Sequence, residues 1–253
     1  MVIRDVPYRT VDGVTLRMNI CPSHGIRPAV LWVHGGGWKD GDRYSDADYA
    51  ARLADQGFVV FTIDYRLACR AGQGSLCGYH FPALVSDVQA ALSWIRAHGA
   101  TYGADARKVG VVGASAGGNL GGMLGVGPTR ADAVVAFSGT MKMSICRGTH
   151  CEVKADYIGC SWDTCPQRWA EASPITFVSA SAAPFFMSNG EYESVVPPKD
   201  SREMAAALRA VGVPNRRFLE AGSSCHALAC VDRDPALWNA AVSWLRAYLM
   251  PNS

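Results

Sequence analysis

A chain of 253 residues, 49% of them hydrophobic, is long enough to bury a full core, as one large domain or two small ones. Lys and Arg number 24 against 22 Asp and Glu, a net charge of +2, and the basic residues are scattered, which argues against nucleic acid or an anionic membrane as partner. No segment supplies the apolar run of about 20 residues that a membrane-spanning helix requires.

In chain order, short apolar runs alternate with helical patterns. Strands are predicted at Thr15–Cys21, Ala29–His34, Val59–Asp64, Val109–Gly113, Ala133–Phe137, Pro184–Ser188 and Arg216–Glu220. Several are bounded by Gly or Pro, as expected of central strands in a parallel sheet covered on both faces. Helices are predicted at Asp46–Gln56, Ala83–His98, Ala116–Leu124, Lys199–Val211 and Pro235–Leu249. In the second of these, Val85, Val88, Ala91, Leu92 and Ile95 recur at helical spacing and form one apolar stripe. Such alternation implies one doubly wound α/β domain. The stretch from about 139 to 173 breaks the rhythm and reads as an insertion. Gly113–Gly127 contains G-x-x-x-G spacings, but it carries Ser115 and Asn119 and is too short to cross a bilayer; it reads as a tightly packed helix.

Two glycine-rich turns carry the chemistry. Gly113-Ala114-Ser115-Ala116-Gly117 fits G-x-S-x-G between a predicted strand and a predicted helix. A serine on that turn needs small neighbours, and the helix N-terminus behind it favours developing negative charge. Upstream, His34-Gly35-Gly36-Gly37-Trp38 also follows a strand, and consecutive glycines let backbone N–H groups face a common point, as in an oxyanion hole. A phosphate loop would end in Gly-Lys-Ser/Thr, whereas Gly37 is followed by Trp38-Lys39.

A serine nucleophile needs a base oriented by an acid. Of the histidines at 24, 34, 80, 98, 150 and 226, only His226 follows the last predicted strand. The acid belongs in the loop after "PFFMS", where Glu191, Glu193 and Asp200 compete; Asp200 falls within a helical pattern and Glu191 comes early in the turn, leaving Glu193 as the choice. The chain order Ser115, Glu193, His226 is that of α/β-hydrolases.

The stretches "HGGGW" (34–38), "DYRLA" (64–68), "FPALVSDVQAALSWIR" (81–96), "YGADARKVGVVGASAGGNL" (102–120), "SPITFVSASAAPFFMSNGEYESVVP" (173–197) and "CHAL" (225–228) resemble α/β-hydrolase esterases, close to the hormone-sensitive-lipase-like, acetyl-esterase and feruloyl-esterase-like carboxylesterases. The resemblance implies an α/β-hydrolase fold and oxyanion donors at the N–H groups of Gly36, Gly37 and Ala116. It also implies an acid three residues after the glycine of H-G-x-x-D-x-x-V-P, which lands on Glu193 where aspartate is commoner. Asp64, Tyr65, Arg66 and Asp87 match positions that are usually structural. The glycine loop begins only 34 residues in, short of a helical N-terminal cap, so an open site or one covered only by the insertion is expected.

Nine cysteines include four local pairs: Cys69/Cys77 eight apart, and Cys146/Cys151, Cys160/Cys165 and Cys225/Cys230 each five apart. The pairs read as disulfides, with a four-thiolate zinc site at 146, 151, 160 and 165 as the alternative and Cys21 as a free thiol. Disulfides imply a secreted chain, although "MVIRDVPYRT" lacks a signal peptide's apolar block. The expected function is hydrolysis of short acyl or aryl esters, on acetylated or feruloylated polysaccharide or polyester, with Trp38, Trp162 and Trp169 as candidate substrate-lining residues. No metal or organic cofactor is implied. A prolyl-oligopeptidase-type peptidase or amidase and an inactive hydrolase-fold binding module are the alternatives.

Overall fold

Successive side chains on a strand point to opposite faces, and here both faces are apolar. In β3 (Arg27–Val33), Val30 and Trp32 enter one buried cluster while Leu31 and Val33 enter another. β5 (Ala104–Ala114) divides Val111 from Val112, and β7 (Phe185–Gly190) divides Phe185 and Met187 from Phe186, in the same way. A sheet of this kind must be covered on both sides. A computed structural model, describing residues 2–23, 25–143 and 149–250, has that arrangement.

The remaining strands are β1 (Ile3–Val11), β2 (Val14–Cys21), β4 (Val59–Ile63), β6 (Ala133–Phe137) and β8 (Asn215–Glu220). They form one eight-stranded sheet in the order β1-β2-β4-β3-β5-β6-β7-β8. β1 and β2 join antiparallel, and the rest, from β4 to β8, run parallel, with Val30 beside Val60 and Gly113 beside Ala136. The helices α2 (Ala83–His98), α3 (Ala116–Val126) and α6 (Pro198–Ala210) cover one face. On the other face lie α1 (Ala47–Ala54), α7 (Leu228–Arg233) and α8 (Pro235–Leu249). The stripe expected on α2 is buried in full. This is the α/β-hydrolase architecture expected from the sequence.

Two departures have physical causes. β1 was not expected as a strand, because Arg4, Asp5, Pro7 and Arg9 interrupt any apolar alternation. It is the edge strand, bulged and paired only with β2, where charges and a proline are tolerated. The segment after β6 contains helices α4 (Thr149–Ile158) and α5 (Pro166–Glu171). α4 buries Lys154, Tyr157 and Ile158, a helical i, i+3, i+4 set in which a lysine stands where an apolar residue would have betrayed the stripe.

α4 docks on the glycine loop and on the turn before α2. Lys39 pairs with Asp156 at 2.6 Å, the Phe81 N–H donates to the Tyr157 carbonyl at 2.7 Å, and the Trp38 and Tyr157 rings stack at 4.6 Å. Disulfides join Cys69 to Cys77, Cys160 to Cys165 and Cys225 to Cys230, as the spacing predicted. The pairing of Cys160 with Cys165 removes the four-thiolate zinc alternative. Cys146, and with it the expected Cys146–Cys151 pair, lies outside the described residues. Cys21 is a free, half-buried thiol whose pKa burial raises.

Candidate active site

The loops that leave the carboxyl ends of β5, β7 and β8 converge, as expected at the ligand-binding edge of a parallel sheet. Ser115 leaves β5 with φ 53° and ψ −116°, a backbone conformation that L-residues rarely adopt. The turn is closed by Gly117, where a Cβ would fall on the carbonyl oxygens of Val33 and His34. The sharp turn between strand and helix therefore presents the Ser115 hydroxyl while keeping α3 against β3.

His226 lies between β8 and α7, with its Nε2 2.8 Å from Ser115 Oγ. Its Nδ1 is hydrogen-bonded to Glu193 Oε1. A carboxylate accepts, so the proton sits on Nδ1 and the lone pair of Nε2 faces the hydroxyl. The Glu193 carboxylate is fully buried and well supplied with donors: Ser138 Oγ at 2.8 Å and Asn189 Nδ2 at 3.2 Å on Oε2, and the Val196 N–H at 3.1 Å on Oε1. Of the three competing acids, only Glu193 reaches His226. Glu191 is exposed and accepts from the Gly222 N–H at 2.8 Å, and Asp200 is buried in the first turn of α6.

The glycine loop turns back on itself beside the serine. Gly36 has φ 106°, and its carbonyl accepts from the N–H groups of Lys39 and Asp40 at 3.0 and 3.1 Å. Among the described residues, the N–H groups of Gly36, Gly37 and Ala116 donate to no protein acceptor, which leaves three donors at the positions expected of an oxyanion hole. His34 anchors the loop: its Nδ1 bonds the Gly35 carbonyl at 2.7 Å, and its ring stacks on Tyr65 at 4.2 Å. Burial pushes the His34 pKa down and keeps that ring neutral. The Tyr65 hydroxyl donates to the His34 carbonyl at 2.9 Å.

A cleft of about 610 Å³ opens over Gly36, Gly37, Ser115, Val153, Val195 and His226. Beside it, a recess of about 50 Å³ is shared by Ser115, Trp38, Thr140, Lys154 and Val196. Trp38 borders that recess. Trp162 and Trp169 do not: they meet edge to face at 5.8 Å around a second depression lined by Cys151, Glu152 and Asp163, away from Ser115. Trp169 is buried, its indole N–H donating to the Cys160 carbonyl at 3.0 Å, so packing accounts for it.

Sequence reasoning missed three residues. Ser138 donates to Glu193 and accepts from the Ala227 N–H at 2.8 Å, tying the acid loop to the histidine loop. Asn189 holds the Glu193 carboxylate from the end of β7. Both sit at the carboxyl ends of strands, the one signal that pointed to them. Lys154 lines the recess, and burial lowers its pKa, an effect that the nearby Asp200 carboxylate opposes. Burial in turn raises the Asp200 pKa to about 6. Among the described residues no helix is long and apolar enough to cross a membrane.

A family model described as BD-FAE matches residues 21–208, well over half of the chain. Esterase LipC of Mycobacterium tuberculosis (strain ATCC 25618 / H37Rv) is 30% identical over 81% of the chain and 54% of LipC. The chain spans about half the length of the curated relatives it matches. Among solved structures, a truncated form of carbohydrate esterase from gut microbiota superposes with a TM-score of 0.85 at 20% identity, covering 99% of this chain and 96% of that one. An acetyl ester-xyloside bifunctional hydrolase from Caldicellulosiruptor lactoaceticus superposes with a TM-score of 0.78 at 22% identity, covering 92% of this chain and 87% of that one. Matched by that family model over residues 21–208, the chain belongs to the BD-FAE family.

Proposed function

We propose that this protein is a serine carboxylesterase that hydrolyses short acyl esters through an acyl-enzyme on Ser115. The reading rests on one observation above the others: Nε2 of His226 lies 2.8 Å from Ser115 Oγ while Nδ1 is tied to the buried Glu193 carboxylate. His226 takes the hydroxyl proton as Oγ attacks the ester carbonyl, and Glu193 holds the imidazolium that forms. The N–H groups of Gly36, Gly37 and Ala116 accommodate the oxyanion. The tetrahedral adduct collapses, the alcohol leaves with the proton from His226, and a water deprotonated by His226 releases the acid and restores Ser115.

The 50 Å³ recess favours a short acyl group, and the wider cleft leaves room for a bulky alcohol such as a sugar. Structural neighbours named as a carbohydrate esterase and an acetyl ester-xyloside bifunctional hydrolase favour a carbohydrate ester over polyester as the natural substrate. Helices α4 and α5 form a lid-like cover on a single domain, with α4 bordering the serine through Val153. The disulfides among the described residues fit an oxidising, extracellular location. The test is release of p-nitrophenol from p-nitrophenyl acetate by the wild type and by Ser115→Ala. Loss of at least a thousandfold is expected, and equal rates would overturn the reading.

A further inference from the structure

A buried ammonium is costly unless an anion or a hydrogen-bond acceptor reaches it. Lys154 is 7% exposed, its Nζ not fully sealed from solvent, and among the described residues it makes no hydrogen bond and no ion pair. Asp200 acts on it through charge alone, and the Asp200 Oδ2 atom is itself buried without a partner. A lysine kept for its pairing with Asp200 would close that gap, because a buried pair repays its desolvation only at hydrogen-bonding distance. Lys154 instead lines the recess that opens on Ser115, together with Trp38, whose indole N–H is also buried without a partner, and Thr140.

The size of the recess limits what can reach the lysine from the serine. Its volume of about 50 Å³ admits only a small group. A malonyl group extends beyond its ester carbonyl by only one methylene, to lie against Val153 and Val196, and one carboxylate.

We propose that this recess is an acyl subsite for hemiesters of short dicarboxylic acids, malonyl above all, in which the free carboxylate pairs with Lys154 while the ester carbonyl lies at Ser115. The proposal rests on the esterase reading and gives it an acyl class. The reaction is the hydrolysis already described: water is consumed, the ester C–O bond breaks, and the alcohol and the dicarboxylate leave. An acyl group of the same shape without the charge, such as acetoacetyl, fills the recess but leaves the ammonium unpaired.

The experiment compares acid release from monomethyl malonate and from methyl acetoacetate in a pH-stat, using the full chain, Lys154→Met and Lys154→Arg. In Lys154→Met the ratio of kcat/KM for malonate over acetoacetate is expected to fall at least tenfold, and Lys154→Arg should recover most of it. Equal losses on both esters, or an unchanged ratio, would overturn the subsite and leave Lys154 a packing residue. Calorimetry of monomethyl malonate binding to Ser115→Ala, with and without Lys154→Met, needs no turnover and decides the case if the wild type is inactive; at least tenfold weaker binding in the double variant is expected. An inactive wild type with Lys154-dependent binding would sink the esterase reading alone. If Lys154→Met does not fold, Lys154→Gln takes its place.

Discussion

The Ser138 hydroxyl donates to Glu193 Oε2 at 2.8 Å and, at the same distance, accepts the N–H of Ala227, the residue after His226. One side chain thus sets the loop after β7 against the loop after β8. Ser138 adopts φ 48°, and its own N–H is taken by the Ser188 carbonyl at 2.9 Å, so the hydroxyl has little freedom to turn elsewhere. Ser138→Ala leaves a buried N–H without an acceptor and Glu193 short of a donor, at a cost of about 1–3 kcal/mol. Urea unfolding should register that loss. Turnover of p-nitrophenyl acetate should fall by about 10-fold or more, since small errors in placing the base are expensive. Unchanged turnover would show that the acid and the histidine keep their places without this bridge.

The contrast between Glu193 and Glu191 gives a second prediction. Glu193→Gln keeps the size of the side chain but removes the charge that stabilises the imidazolium and fixes its tautomer. Turnover should fall by about 10²–10⁴-fold. Glu191→Gln touches only an exposed contact with the Gly222 N–H, and its turnover should stay within about threefold of wild type. A larger loss at position 191 would place the acid there instead.

The parts of this site that were legible in the sequence are those made by neighbours along the chain. The turn around Ser115 and the loop at Gly36 and Gly37 need glycines at fixed offsets, and the strand before each supplies the context. His226 followed from strand order. Glu193 was one of three acids on spacing alone, and needed the family resemblance to be singled out. Ser138 was invisible because its value lies in joining two loops 55 and 89 residues away, and a lone serine after a strand carries no mark of that. Lys154 hid both itself and its helix, because a lysine on the buried face of α4 reads as solvent exposure. Trp162 and Trp169 misled for the opposite reason: aromatic identity suggests a pocket, but position decides which one.

His226 is restrained from two sides, by Ser138 through the Ala227 N–H and by the Cys225–Cys230 disulfide that encloses it. The loop-entropy effect of so short a ring is only about 2 kcal/mol, so its larger consequence is local. In Cys225→Ala with Cys230→Ala, Tm should fall and turnover should drop several-fold even at 15 °C, well below unfolding. Adding Ser138→Ala should cost more than the sum of the separate losses in turnover, because the second tether then has no substitute. A lower Tm with turnover untouched would confine the disulfide to stability.

Asp200 supplies a pH-dependent prediction. Burial raises its pKa from 3.8 to about 6, so between those values the folded protein binds a proton that the unfolded chain releases. The stabilisation from that proton is complete below about pH 4 and is lost as the pH rises through 6. Asp200→Asn does not titrate and escapes the loss. From pH 4 to pH 7 it should therefore gain stability relative to wild type, by at most about 3 kcal/mol for a shift of about two units. In Lys154→Met the window should move upward, since Lys154 is the leading charge holding the Asp200 pKa down. Urea unfolding of the three proteins at pH 4, 5, 6 and 7 measures both effects, and a wild-type-to-Asn difference that stays constant across the series would mean that Asp200 does not titrate there.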